Sequence, residues 1–231
     1  MLIRIISGIH RRWGNIMSIA YNRQSDLPYP QPWEYVLDNI FNREKGLMYI
    51  DVGANDGLVV SNTAFMELNL NWNGICIEPH PYAFSRLKNN RNCKKYNVCI
   101  SDDIQEYLSF YEVKGYAEML SCVESKCSQE HLERINSEIQ RHGGEVNLIK
   151  VKSIQLNTIL EENNINKVDY LSIDTEGSEL SVLKSVDLNK YHIRVISAES
   201  NNSDVKKYLV DKGYQFVTKI CGDDIFVKGT I

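Results

Sequence analysis

No run of apolar residues in this sequence approaches the ~18 needed to cross a bilayer as a helix, so a helical membrane span is not expected. Nor is there a surplus of positive charge: 26 Lys and Arg stand against 30 Asp and Glu, a formal charge of −4. Wrapping a polyanion takes clustered Lys and Arg, so nucleic acid is not an expected partner. Six cysteines are present, Cys76, Cys93, Cys99, Cys122, Cys127 and Cys221. None form a CxxC, and no Cys/His grouping reads as a zinc site by its spacing. That usage fits a reducing, intracellular compartment, and a cytoplasmic location is expected. Proline is sparse, and three of the five fall in residues 27–32, an extended linker.

Acidic residues are missing altogether from residues 1–25, which carry Arg4, Arg11, Arg12 and Arg23. Leu2, Ile5, Ile6, Ile9, Trp13, Ile16 and Ala20 recur there at helical spacing. The first reading of residues 1–20 is an amphipathic helix packed on its own domain. A weak contact with a membrane surface, or with an acidic partner, is the alternative. Arg4 interrupts the apolar stretch and no small-residue cleavage site follows, so no secretory signal is expected. The chain divides into residues 1–44, holding this helix, the linker and a short helix over 33–41, and residues 45–231, one α/β domain.

From residue 47 the pattern alternates. Short apolar runs at 47–52, 74–78, 96–100, 168–174 and 193–199 read as buried parallel strands, with helices over 58–70, 82–90, 156–162, 179–186 and 203–212. Residues 107–113 and 116–120 read as a hairpin about Gly115, 129–141 as a charged helix, and 146–151 as another strand. A strand at 214–220 and a tight turn make 225–228 antiparallel to its predecessor. Such an order specifies a parallel sheet with right-handed crossovers, which binds ligands beyond the carboxyl ends of its strands. That rim collects residues 51–57, Glu78, Ser101, Asp102, Asp174 and Glu199, and the last turn adds Asp223 and Asp224.

The turn after the first strand reads Asp51-Val52-Gly53-Ala54-Asn55-Asp56-Gly57. Its glycines permit a tight bend and close backbone approach. It has two carboxylates and no Lys, is not a Walker A loop, and lacks the GxGxxG spacing that cradles a pyrophosphate. A ligand with an amino group and a sulfonium cation suits it better, a plain unliganded turn being the alternative. Glu78, followed by Pro79, lies 21 residues beyond Gly57, where a carboxylate can take two ribose hydroxyls. Ser101 and Asp102 are placed either to reach an adenine amino group or to cap a helix. In the loop from Asp174 to Glu179, Asp174 is the first candidate for a general base, with Glu176 and Glu199 in support. Glu176 and Glu179 could equally serve the helix N-terminus that follows. Asp174, Glu199 and Asp224 could converge on a divalent cation, and spacing alone leaves the metal open. Among the histidines, His80 falls near the cofactor, His131 and His142 read as solvated, and His192 as structural.

These segments resemble the FkbM family of methyltransferases over about residues 45–228. The matching stretches are 49–57 with Ser61-Asn62, 74–79 (GICIEP), Asn90-Arg91, 118–121 (EMLS), 171–179 (LSIDTEGSE), Ala198-Glu199 and 223–226 (DDIF). The resemblance implies a Rossmann-like class I methyltransferase: a mostly parallel seven-stranded sheet with an antiparallel C-terminal strand and helices on both faces. It also implies S-adenosylmethionine as methyl donor and O-methylation. Cofactor contacts are then expected from Asp51, Gly53, Ala54, Asn55, Asp56, Gly57, Glu78, Pro79, Ser101, Asp102 and Asp174. The acceptor side is expected to draw on Ser121, through the EMLS match, and on Glu179 and Asp224. A small acceptor is expected, foremost a sugar unit of a glycan or glycoconjugate, by analogy with the family and from Tyr111, Tyr116 and Glu118 near the rim. Two other readings stay open: an NAD(P)-dependent oxidoreductase or epimerase, and a methyltransferase-like binding module without turnover.

Overall fold

The computed structural model describes residues 30–199 and 203–229; the basic amphipathic stretch expected over residues 1–20 lies outside them. Helix α1 (Pro32–Asn39) starts with proline in its first turn, where no N–H is missed, and Glu34 accepts from the Gln31 N–H at 2.8 Å in a capping box. Its Trp33, Val36 and Leu37, with Phe41, pack among Tyr49, Met66 and Trp72. The short helix expected over 33–41 is thus present and packs against the domain that follows.

The chain then forms β1 (Met48–Val52), α2 (Ala64–Leu70), β2 (Asn73–Ile77), α3 (Pro81–Asn90) and β3 (Lys94–Tyr96). Helix α2 starts six residues later than its periodicity predicts, at 64 and not 58. The intervening turn is held by Asp56 Oδ1, which accepts from the N–H groups of Leu58 and Val59 at 2.9 Å, and Val60 takes a φ of 55°, which no right-handed helix allows.

Next come β4 (Cys99–Ile100), β5 (Tyr107–Gly115), β6 (Cys122–Val123), α4 (Gln129–His142), β7 (Gly144–Ile154), α5 (Leu156–Glu162), β8 (Lys167–Ile173), α6 (Glu179–Lys184), β9 (His192–Glu199), α7 (Ser203–Asp211), β10 (Tyr214–Ile220) and β11 (Asp223–Lys228). Seven strands make one sheet in the order β10-β11-β9-β8-β1-β2-β3. Pairing is parallel from β9 through β3, and β11 runs antiparallel to both β9 and β10. This is the expected Rossmann-like α/β architecture. Ile50, Leu171, Ile173 and Ile196 bury one face of the central strands and Tyr49, Tyr170 and Val195 the other. Each such side chain contributes roughly 1.5–3 kcal/mol on burial.

Two expectations are corrected. The single strand foreseen at 96–100 is two: β3 pairs with β2, and β4 leaves to join a second sheet, ordered β4-β7-β5-β6. The hairpin after Gly115 returns later than expected: residues 118–120 make a 3-10 turn, the chain comes back antiparallel on β5 only at β6 (Phe110↔Val123, Tyr111↔Cys122), and the long partner of β5 is β7, from Tyr107↔Lys152 to Gly115↔Gly144. Gly143 and Gly144, with φ of 76° and 131°, reverse the chain after α4, and a Cβ on Gly144 would stand 2.2 Å from the Lys114 carbonyl oxygen. Among the described residues no helix is long and apolar enough to cross a membrane.

Candidate active site

Where β1 ends, its backbone meets that of β8. A Cβ on Gly53 would fall 1.7 Å from the Asp174 carbonyl oxygen, and Gly53 has a φ of 90°. Only glycine fits there. The N–H groups of Gly53 and Ala54 donate to Ile77 at 3.0 and 3.1 Å, and that of Asp174 to Val52 at 2.9 Å. The three strand ends are thereby locked side by side. Asn55, in the left-handed region at φ 48°, turns its N–H to Glu78 Oε2 at 2.7 Å, while the His80 N–H donates to Glu78 Oε1 at 2.7 Å. Burial raises the Glu78 carboxyl to about 7 against these two bonds. Each oxygen keeps a further lone pair for a hydroxyl.

A cleft opens over this carboxylate. Val98, Ile100, Phe110 and Val123 line one wall, Gly53, Asn55, Glu78, Pro79 and His80 the other, and Asp174 and Glu176 close one end. Among the described residues, no Lys or Arg lines it. The apolar wall suits a flat base, Glu78 a ribose diol, and the acidic end a cation. A pyrophosphate would meet no basic side chain. A smaller cavity of about 320 Å³ around Asp51, Ala54, Ser61 and Asn62 shares Gly53, Asn55, Met119 and Asp174 with the cleft. Asp51 is buried and accepts from Thr63 Oγ1 at 2.6 Å. Burial raises its carboxyl and the field of Arg91 lowers it, the first prevailing. Asp56 caps the turn, and Gly57, at φ 79°, would bring a Cβ to 2.5 Å from Leu87 Cδ1.

Ser101 and Asp102 do not line the cleft. Because β4 turns into the second sheet, they face α6: Ser101 Oγ lies 3.0 Å from Ser181 Oγ, and Asp102 accepts from the same hydroxyl.

At the acidic end, Asp174, Glu176 and Glu199 each bring one carboxylate oxygen within 4.8 Å of the other two. Asp224 is not in this group. It faces Lys219 Nζ at 3.7 Å, and Glu176 takes the place foreseen for it. Asp174 itself stays exposed to solvent, but the protein crowded around it, then the fields of Glu199 and Asp223, raise its carboxyl above the usual carboxylate range. Burial and Glu199 raise Glu176 to about 7, and burial and Glu199 likewise lift Asp223 to about 7. Glu179 braces the loop: its Oε1 accepts from the Thr175 N–H at 3.1 Å, the Thr175 hydroxyl at 2.9 Å and the Gly177 N–H at 3.1 Å. Ser121 lines the cleft, its hydroxyl accepting from the Val113 N–H at 3.0 Å and donating to the Glu118 carbonyl at 2.7 Å.

Several side chains were not foreseen. Arg91 lies wholly buried under the turn. Met119 borders the cleft, the small cavity and a third groove of about 1050 Å³ edged by Tyr82, Arg86, Lys114, Tyr116 and Glu118. His131 is not solvated as expected: Nε2 donates to the Leu120 carbonyl at 2.8 Å, and Nδ1 stands 3.5 Å from Glu176. His142 stacks on Tyr116 with ring centroids 4.2 Å apart. Arg91 and Met119 lie in the family-like stretches Asn90-Arg91 and EMLS, but no local pattern gives the contacts of these four, because their partners come from other segments.

Comparison with known proteins gives a match of residues 51–216 to the Methyltransferase FkbM domain. No curated protein matches the sequence. Similar solved structures include a methyltransferase FkbM from Methylobacillus flagellatus, 12% identical with a TM-score of 0.47, the match covering 80% of this chain and 44% of that one. This chain thus spans less than half of that protein's length. A TehB-like SAM-dependent methyltransferase from Corynebacterium glutamicum is 9% identical with a TM-score of 0.44, covering 96% and 97%. A precorrin-6y C5,15-methyltransferase from Geobacter metallireducens is 11% identical with a TM-score of 0.40, covering 87% and 89%.

Proposed function

The chain belongs to the FkbM methyltransferase family, and from that premise we propose that it methylates a hydroxyl of a small acceptor, foremost a sugar unit of a glycan or glycoconjugate. S-adenosylmethionine, the donor this family implies, supplies when bound an electrophilic methyl on a sulfonium. The cleft fits that ligand by its donor set: Glu78 for the ribose, the Ile100 and Phe110 wall for the adenine, and the carboxylates beside Gly53 for the positive groups.

Transfer to a hydroxyl forms a C–O bond as the S–CH₃ bond breaks, and the hydroxyl proton has to leave. Asp174 is the residue assigned to take it, with Glu199 and Glu176 beside it. Holding acceptor and donor in line contributes several kcal/mol, and a positioned base adds about 10²–10⁴-fold. The single observation that carries the base assignment is the convergence of these three carboxylates, two of which, Asp174 and Glu176, line the cleft. The sugar preference is supported by the adjoining groove, where Tyr82 and Tyr116 are 60% and 72% exposed beside Arg86, Lys114 and Glu118. Aromatic faces among polar groups suit a sugar ring.

The test is calorimetric titration with S-adenosylmethionine and with NADH, followed by an acceptor screen using labelled methyl donor and Asp174→Asn as control. Binding of the first ligand, and label on an acceptor oxygen, is the expected result. Binding of NADH alone would sink the reading, and donor binding without transfer to any acceptor would leave a binding module in its place.

A further inference from the structure

Beside the carboxylate end of the cleft, between β6 and α4, lies a group of softer ligands. Cys122, Cys127 and His131 each bring one ligand atom within 4.8 Å of the other two, and both cysteines are free thiols. In sequence they are spaced Cys-x₄-Cys-x₃-His, with no CxxC to draw the eye. The 3-10 turn at Glu124–Lys126 folds the intervening residues back, and Ser128 caps α4 so that His131 sits in its first turn.

The imidazole is already oriented as a metal ligand's would be. A carbonyl only accepts, so Nε2, 2.8 Å from the Leu120 oxygen, carries the proton. In the neutral ring Nδ1 then keeps its lone pair, and it stands 3.5 Å from a carboxylate oxygen of Glu176. That Glu176 oxygen already has the Arg134 guanidinium 3.7 Å away, so it is the two thiol sulfurs gathered at the His131 ring that point to a further positive centre. Two thiols converging on the same point favour a thiophilic metal over a proton alone.

We propose that Cys122, Cys127 and His131 bind a zinc ion whose fourth position faces the Glu176 carboxylate. Each thiol gives its proton to solvent as its sulfur bonds the metal. The ion ties the 122–131 segment down beside the loop after β8, where the packing is already close: a Cβ on Gly177 would lie 3.0 Å from the Lys126 carbonyl oxygen. This assignment is independent of the methyl acceptor and of turnover.

The experiment uses the full chain, purified under reducing conditions, loaded with zinc sulfate and desalted, with metal content measured by mass spectrometry. Stoichiometric zinc is expected in the wild type and in Cys221→Ser, and loss of it in Cys127→Ser. In the wild type, cobalt substitution is expected to give tetrahedral d–d bands and sulfur-to-cobalt charge transfer, and this decides the matter alone should Cys127→Ser fail to fold. A wild-type chain that keeps no zinc, a cobalt form without sulfur charge transfer, or a folded Cys127→Ser that retains zinc overturns the site.

Discussion

The guanidinium of Arg91 lies 2.8 Å from the carboxylate of Glu67, with the arginine side chain wholly removed from solvent. From there it also donates to the Gly57 carbonyl at 2.9 Å, the Tyr49 hydroxyl at 2.8 Å and Thr63 Oγ1 at 3.0 Å. Thr63 in turn donates to Asp51. One buried cation therefore supports the underside of the turn that the ligand is expected to meet. Arg91→Met leaves Glu67 charged and unpaired, and should lose about 3–5 kcal/mol in urea denaturation. Arg91→Lys should recover little, lacking the planar fork. The double variant Arg91→Met/Glu67→Leu should recover only part of the loss, because the Glu67 charge goes but the buried Asp51 carboxylate still lacks the field of Arg91.

Glu78→Gln should weaken S-adenosylmethionine binding by about 1.5–3 kcal/mol, the worth of a hydrogen bond to a charged group. Calorimetry at pH 8 measures it. With the Glu78 carboxyl lifted to about 7, wild-type affinity should fall as the pH drops through that value. Unchanged affinity in the variant would remove Glu78 from the ribose.

Asp174→Asn keeps the side-chain size and removes the base. Its kcat at saturating donor should fall about 10²–10⁴-fold, a larger loss than the weakening of donor binding that follows from removing one carboxylate near the donor's positive groups. Loss of donor binding with little change in kcat would make Asp174 a binding residue instead.

Asp223 holds its proton more tightly folded than unfolded, at about 7 against an ordinary 3.8. Its contribution to stability is therefore present at low pH and lost as the pH rises from about 4 through 7. Asp223→Asn should melt at the same temperature as wild type near pH 4 and higher at pH 8. Calorimetric scans at the two values give the comparison, and equal melting temperatures at pH 8 would contradict it.

The main sheet was readable because its central strands are buried on both faces and so appear as unbroken apolar runs. The break at residue 97 was not. There the Asn97 side chain donates to the carbonyls of Glu78 and Pro79 at 2.8 and 3.1 Å, a long-range event invisible to periodicity. The partner of β5 was missed for a similar reason, since the pairing with β7 spans a helix. Asp174 and Glu199 were readable as strand-end carboxylates. Asp224 was taken where Asp223 faces the site because neighbours on a strand point to opposite faces. On β9 Asp223 stands opposite Glu199 and Asp224 opposite Ala198, and the Asp224 carboxylate faces Lys219 Nζ at 3.7 Å.

The excursion from residue 101 to 154 leaves and rejoins the fold at one spot. Cys99 pairs with Ser153 and Ile100 with Ile154, and the Ser101 N–H donates to the Ile154 carbonyl at 3.1 Å. Both ends of that segment are thus stapled together before the rest of it is reached, and its own small apolar clusters fill its interior. It can be transplanted as a cassette. Exchanging it between relatives would change the wall that carries Phe110, Met119 and Ser121 while leaving Gly53, Glu78 and Asp174 on their original scaffold.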